Sequence, residues 1–281
     1  TRLEIDLAAV VHNFNQYRLQ LKHGTRIMAM VKAFAYGSGA TEIAHVLQFQ
    51  GVNYFGVAYA DEGVALRQAG VTLPIMVMNT EEHAFDLITE HQLEPVLFSF
   101  SLLKSFDNYL QQQGIQNYPV HIEIETGMNR LGFLEEQIPN LIKHLQSTSS
   151  FLIQSVFSHL AASEEAAADS FTQEQFSLYQ QLSIQLADAV ATPFLKHIAN
   201  SAAAIRHPSY TMDMVRIGIG LYGVDSQSSL PLQPAITLRS TIAQVKKVVA
   251  GSAISYNRQT ILSKDARIAT VRLGYADGYP R

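Results

Sequence analysis

Eight short apolar runs, each followed by a helical stretch or a turn, constrain this chain more than any other feature. They are Arg26–Val31, Tyr54–Ala58, Pro74–Met78, Pro95–Ser99, Val120–Glu125, Ile153–Ser158, Leu195–Ala199 and Val215–Ile219. Most are rich in Val, Ile, Met and Phe, as strands buried on both faces are. Helix-like segments lie between them: Thr41–Gln50, Asp61–Ala69, Glu81–His91, Ser101–Gln113, Glu135–Gln146, Thr172–Ala189 and a short Ser201–Arg206. Val11–Leu21 reads as a helix before the first strand, and Asp61, Thr80 and Thr172 stand where N-caps belong. The fold is α/β, doubly wound or closed. The count of eight favours a (β/α)8 barrel over residues 8–225. Right-handed crossovers then gather the carboxyl ends of the strands on one rim, where chemistry collects.

After Gly223 the pattern changes. Ala235–Val249, ISYNRQTIL and ARIATVRLGYA read as strands without long helices between them, and VAGSAI holds a turn. Residues 226–281, with 1–7, are expected to form a mostly-β domain. So few strands leave open edges, so the domain is expected to continue past Arg281. The absence of an initiator Met at Thr1 fits a piece of a longer chain. Ser163–Asp169, small and acidic, reads as a surface loop.

Composition removes several functions. No cysteine occurs among the 281 residues, so disulfides, thiolate metal sites and thiol nucleophiles are excluded. Twenty basic residues against twenty-four acidic ones leave no surplus for nucleic acid. No apolar run reaches the ~18 residues of a membrane helix, and the N-terminus carries no signal-peptide pattern. A cysteine-free chain of this kind fits the reducing cytoplasm.

Five segments could carry chemistry. In MAMVKAFAYGSG an apolar strand ends in Lys32, and Tyr36 and two glycines follow at once. A lysine there is a covalent amine, a general base or an ordinary surface charge; burial would lower its pKa and free the amine. In HIANSAAAI a strand ends and Ser201 opens a short helix, either as an N-cap or as part of an anion site. In VRIGIGLYG, Arg216 sits within the eighth run, and Gly218 and Gly220 allow close backbone approach or tight packing. Ser201 and Gly218–Ile219 fall after strands seven and eight, where barrels place phosphate sites. His159 ends strand six in VFSHLAASE, as a structural or a catalytic histidine. Glu123, Glu125 and Arg130 cluster in HIEIETGMNRLGF, where a solvated ion-pair network is the plainer alternative.

These segments, with ISYNRQT and LGYADGYPR, make the chain resemble the bacterial alanine racemases over essentially all its length. The similarity is greatest to the racemase half of proteins fused to a UDP-N-acetylmuramoyl-tripeptide ligase for D-Ala-D-Ala. The resemblance implies a pyridoxal 5'-phosphate enzyme, with a barrel and a β-domain, that makes D-alanine for peptidoglycan as a homodimer with shared sites. Lys32 matches the lysine that holds the cofactor and serves as one base. Tyr256 matches the opposite-face base, supplied by the partner subunit, and His159 the histidine bonded to it. Arg216 matches the arginine facing the pyridine nitrogen, oriented by His197. Tyr36, Ser201, Gly218 and Ile219 match phosphate contacts, and Asn200 lies beside them. Arg130 matches an arginine beside the cofactor phenolic oxygen and the substrate carboxylate, and Tyr275 an entryway tyrosine.

Three departures stand out. Phe34 and Ser38 occupy positions where many relatives have Asn and His. Glu123 stands where many carry a carbamylated lysine, so a carboxylate could supply that charge directly. The family's further β-domain, with a Met–Asp pair and another phosphate-binding tyrosine, lies beyond Arg281. Three rival readings remain: a racemase of broader specificity, a non-catalytic cofactor-binding barrel, and a phosphosugar isomerase using Lys32 without a cofactor.

Overall fold

The computed structural model describes residues 1–190, 192–225 and 229–279, so Pro280 and Arg281 of the LGYADGYPR segment lie outside it. The chain falls into two compact units: Asp6–Ala235, and Thr1–Ile5 with Ile236–Arg281. In chain order come β1 (Arg2–Ile5), α1 (Leu7–Gln20), β2 (Arg26–Met30), α2 (Lys32–Gly37), α3 (Ala40–Phe49), β3 (Tyr54–Val57), α4 (Ala60–Gln68) and β4 (Ile75–Val77). Next are α5 (Phe85–Glu90), β5 (Glu94–Leu97), α6 (Phe100–Gln112), β6 (Tyr118–Glu123), α7 (Ile138–Ser147), β7 (Phe151–Phe157) and α8 (Asp169–Ala189). They are followed by β8 (Leu195–His197), α9 (Ser201–Arg206), β9 (Met214–Ile217), β10 (Ile236–Arg239), β11 (Ile242–Val248), β12 (Ala253–Ile254), β13 (Thr260–Ile261) and β14 (Ala266–Val271).

All eight expected strands form, as the parallel sheet β8-β7-β6-β5-β4-β3-β2-β9. Its ends meet through Asp213 N–H donating to Lys196 C=O (3.1 Å) and Arg216 N–H to Ala199 C=O (3.0 Å). The sheet thereby closes on itself and buries its strand backbones. An apolar cluster of Met28, Met30, Tyr54, Met76, Val96, Phe157 and Met214 fills much of the interior. Methionine suits it because its flexible chain fills irregular gaps. Gly56 makes room for it: a Cβ there would lie 2.6 Å from Met30 Sδ. Polar side chains share these strands and their neighbours, with Glu94, His121, Ser155, His197 and Arg216 all buried.

Several local expectations are corrected. Asp61 and Thr172 are not N-caps. α4 is entered from Tyr59, and α8 starts at Asp169, three residues before Thr172. Thr80 precedes a single 3-10 turn, Glu82–Ala84, entered from Glu81. The early start of α8 has a cause: Arg206 Nη2 donates to both Asp169 oxygens (2.9 and 3.0 Å). Ser163–Asp169 is no plain surface loop either. Ser163 is buried, and its hydroxyl donates to Asn200 Oδ1 (2.9 Å). The second unit holds the antiparallel pairs β1–β10, β11–β14 and β12–β13.

Candidate active site

A cavity of about 400 Å³ opens at the carboxyl ends of the barrel strands. Nine residues expected at the site line it: Lys32, Tyr36, Arg130, His159, Asn200, Ser201, Arg216, Gly218 and Ile219. His197 and Glu123 lie buried behind it. Two further expected site residues are Tyr256 and Tyr275. Both belong to the second unit, where they are 77% and 72% exposed. The sequence reading missed Tyr17, Met30, Met78, Glu164 and Asp225 as lining residues.

The segment after β2 is the least ordinary part of the rim. Ala33, Phe34, Ala35 and Tyr36 all take left-handed helical dihedrals, with φ between 51° and 55°. Each L-residue so placed costs roughly 1–2 kcal/mol, so only surrounding contacts can hold four in a row. Glu62, in the first turn of α4, supplies them. One carboxylate oxygen accepts from Ala33 N–H (2.7 Å), the other from Ala58 N–H (2.6 Å). Ala35 N–H reaches back to Val31 C=O (2.9 Å). The turn buries Ala35, leaves Phe34 66% exposed and sets the Tyr36 hydroxyl against Gly218. A Cβ on Gly218 would lie 2.5 Å from that oxygen, so any larger residue there would displace the Tyr36 hydroxyl. Gly218 N–H donates to Ser201 Oγ (2.9 Å), joining the two halves of the expected anion cradle. Ser201 is not the N-cap of α9; Asn200 is, its side chain accepting from Ala203 N–H.

Lys32 opens this turn. Burial and the nearby cations Arg130 and Arg216 lower its amine pKa, with Glu62 opposing. This enlarges the share of neutral amine, the nucleophilic and basic form.

Arg216 is buried and lies over the Phe157 ring at 5.0 Å. Nη1 donates to His197 Nδ1 (2.6 Å); Nη2 donates to Ser158 C=O (2.7 Å) and His159 Nδ1 (3.1 Å). Arginine only donates, so both histidines accept at Nδ1 and carry their proton on Nε2. Burial and the cations Arg216, Arg130 and Lys32 push the His159 imidazole down to about 3, which keeps it neutral. His159 thus presents an Nε2–H donor at the cavity.

Glu125 and Arg130 do not form a solvated ion pair. Glu125 is buried, and its carboxylate accepts from the backbone amides of Gly127 and Arg130, fixing the turn that carries Arg130. Glu123 is 3% exposed, and its Oε2 has no protein partner. Burial raises its carboxyl to about 7, against the opposing pull of Arg130 and Arg216. Such an acid binds more protons folded than unfolded, so stability falls as pH rises from about 4.5 to about 7. Glu123→Gln should therefore gain about 3 kcal/mol over the parent at pH 8 and nothing at pH 4. Denaturant unfolding at both pH values measures this; equal stability at pH 8 would mean that the arginines compensate the charge in full.

Among barrel proteins, a rim of this kind marks enzymes that work through a lysine amine beside an anion site. Comparison with known proteins says which. Residues 5–226 match the model for the alanine racemase N-terminal domain, and 235–281 the model for the C-terminal domain. The alanine racemase of Synechocystis sp. is 35% identical over 99% of this chain and 76% of its own length. The solved alanine racemase of Clostridium difficile superposes with a TM-score of 0.90 at 33% identity, covering 99% of this chain and 74% of that one. That of Bartonella henselae, with covalently bound pyridoxal phosphate, gives 0.88 at 28% identity, over 99% and 77%. The chain belongs to the alanine racemase family. Among the described residues, no helix is long and apolar enough to cross a membrane, and no group of His, Asp and Glu side chains could hold a metal ion.

Proposed function

We propose that this protein interconverts L- and D-alanine with pyridoxal phosphate held on Lys32. The observation that carries the reading is the depressed Lys32 amine beside the Ser201–Gly218–Tyr36 cradle, with Arg216 behind them. The cradle fits the phosphate: a glycine where a Cβ would collide, flanked by two hydroxyls, is a built anion seat. Bound there, the cofactor supplies an aldehyde for amine capture and an electron-withdrawing ring that acidifies the substrate α-carbon.

The chain's own residues do the rest. Arg216 offers donors only and so holds a facing ring nitrogen unprotonated, which limits how far charge drains into the ring. Lys32 moves a proton on one face of the substrate, and Tyr256 of the partner subunit on the other. Two bases on opposite faces are the least that racemisation requires. A tyrosine is a weak base near neutral pH. The Nε2–H of His159 favours its ionised form by donating to the phenolate oxygen. Arg130 serves the substrate carboxylate, Tyr275 the entryway, and Asn200, Ser201, Gly218, Ile219 and Tyr36 the phosphate. Glu123, where ionised above its raised pKa, takes the place of the carbamate charge beside Arg130. This reading makes the protein a cytoplasmic homodimer that feeds D-alanine to peptidoglycan.

The first test is the visible spectrum with pyridoxal phosphate, followed by borohydride reduction and peptide mapping. An absorption band, with the reduced adduct on Lys32, is expected. A folded protein with no band, or with the adduct elsewhere, overturns the reading. Turnover of L-Ala against L-Ser and L-Lys then separates the alanine enzyme from one of broader specificity.

A further inference from the structure

Five buried side chains form one line through the barrel interior, from Arg216 on the site rim to Glu94 at the opposite end. Arg216 Nη1 donates to His197 Nδ1 (2.6 Å). His197 Nε2 lies 2.8 Å from Ser155 Oγ, and Ser155 Oγ lies 2.6 Å from His121 Nδ1. His121 Nε2 lies 2.9 Å from Glu94 Oε2. His121, Ser155 and His197 are 0% exposed, and Glu94 is 8% exposed. Glu94 is the first residue of β5 and borders a cavity at the amino ends of the strands, with Arg67, Gln92 and Tyr118.

Hydrogen counting fixes the direction of the whole line. Arg216 has no acceptor, so His197 accepts at Nδ1 and keeps its proton on Nε2. That N–H donates to Ser155 Oγ. The serine proton then has His121 Nδ1 as its acceptor, and His121 keeps its own proton on Nε2, donating to Glu94. Every donor meets one acceptor, and every bond points from the cation to the carboxylate.

We infer that Ser155, His121 and Glu94 are positioning residues for Arg216, forming with His197 a one-way hydrogen-bond wire that sets how strongly the guanidinium donates into the site. In a buried chain each bond polarises the next. Glu94 pushes electron density along the line and makes His197 Nδ1 a better acceptor. A better acceptor takes up more of the Arg216 donor strength, and less is left for a group facing Arg216 from the cavity. The wire itself stands on protein groups alone. Its effect on turnover rests on the proposed racemase reading.

The experiment therefore begins on the cofactor-free protein. Nitrogen-15 NMR of histidine-labelled protein should show His197 and His121 each as a single tautomer, protonated on Nε2. Ser155→Ala removes the middle of the wire; Glu94 still holds the His121 tautomer, but His121 Nδ1 loses its donor and its nitrogen resonance should move. Ser155→Thr keeps the hydroxyl and should retain the parent pattern. Glu94→Gln keeps an acceptor for His121 and should hold its tautomer while removing the charge. In the holoenzyme, Ser155→Ala and Glu94→Gln should shift kcat about tenfold with KM unchanged, and Ser155→Thr should keep the parent value. A proton on Nδ1 of either histidine in the parent, or a His121 Nδ1 resonance unmoved by Ser155→Ala, overturns the wire. Parent-like kcat in both cut variants overturns its influence on the site. A protein that binds no pyridoxal phosphate leaves the tautomer result intact and bears on the racemase reading alone.

Discussion

Replacing Lys32 with alanine is expected to leave a folded protein that takes up no pyridoxal phosphate covalently and racemises alanine at least about 1,000-fold more slowly, because the proposed mechanism gives this one residue both the holding amine and a base. The fold should not suffer. Lys32 is half-buried beside Arg130 and Arg216, so the substitution removes a cation from a cluster of cations. Thermal unfolding is expected at or above the parent temperature. The same variant tests whether sites are shared. Mixed by co-refolding with Tyr256→Phe, itself inactive, half the dimers pair the two kinds of chain. Each such dimer holds one site with both Lys32 and Tyr256, so about a quarter of the parent activity should return. No recovery from a mixture shown to exchange subunits would mean that Lys32 and Tyr256 act within one chain.

The second large effect is expected at Glu62, which takes no part in the chemistry. Four consecutive residues held left-handed store roughly 4–8 kcal/mol. Glu62 offsets part of this with two charge-assisted bonds, to Ala33 and Ala58. Losing both costs about 3 kcal/mol or more, so Glu62→Ala should weaken pyridoxal phosphate binding about 100-fold. Glu62→Gln keeps one acceptor oxygen and should fall between. Amide exchange of residues 33–36 should quicken in step with the loss of affinity. Unchanged affinity and exchange in Glu62→Ala would show that the turn is held from elsewhere.

The barrel was legible because strands buried on both faces leave uninterrupted apolar runs, and the eight runs differ from the eight strands by only a few residues at either end. The rim was legible where a charged or small residue broke such a run, as at Lys32, Arg216 and Gly218. Tyr17 was not, because it falls on the buried side of an amphipathic helix, where a cavity-facing tyrosine and a core tyrosine look alike. The left-handed turn gave no sign either. Ala33–Tyr36 holds no glycine or asparagine, and its conformation is imposed by Glu62, 29 residues away from Ala33. The N-caps failed at Asp61 and Thr172 for a related reason: tertiary contacts, not the capping residue, chose where those helices begin. His121 and Ser155 each interrupt an apolar strand with a polar group, a signal that goes beyond the motif residues.

Arg216 has a consequence for how this protein can change. It stands on β9, and its side chain reaches past β8 to the carbonyl oxygens of Ser158 and Ile198. Those contacts span the seam where the barrel's first and last sheet members meet. The clasp of the cylinder and the reactive edge of the site are one side chain. Substitutions there cannot tune chemistry while sparing architecture, so variants that adjust this enzyme must act around the arginine, through the residues that hold it.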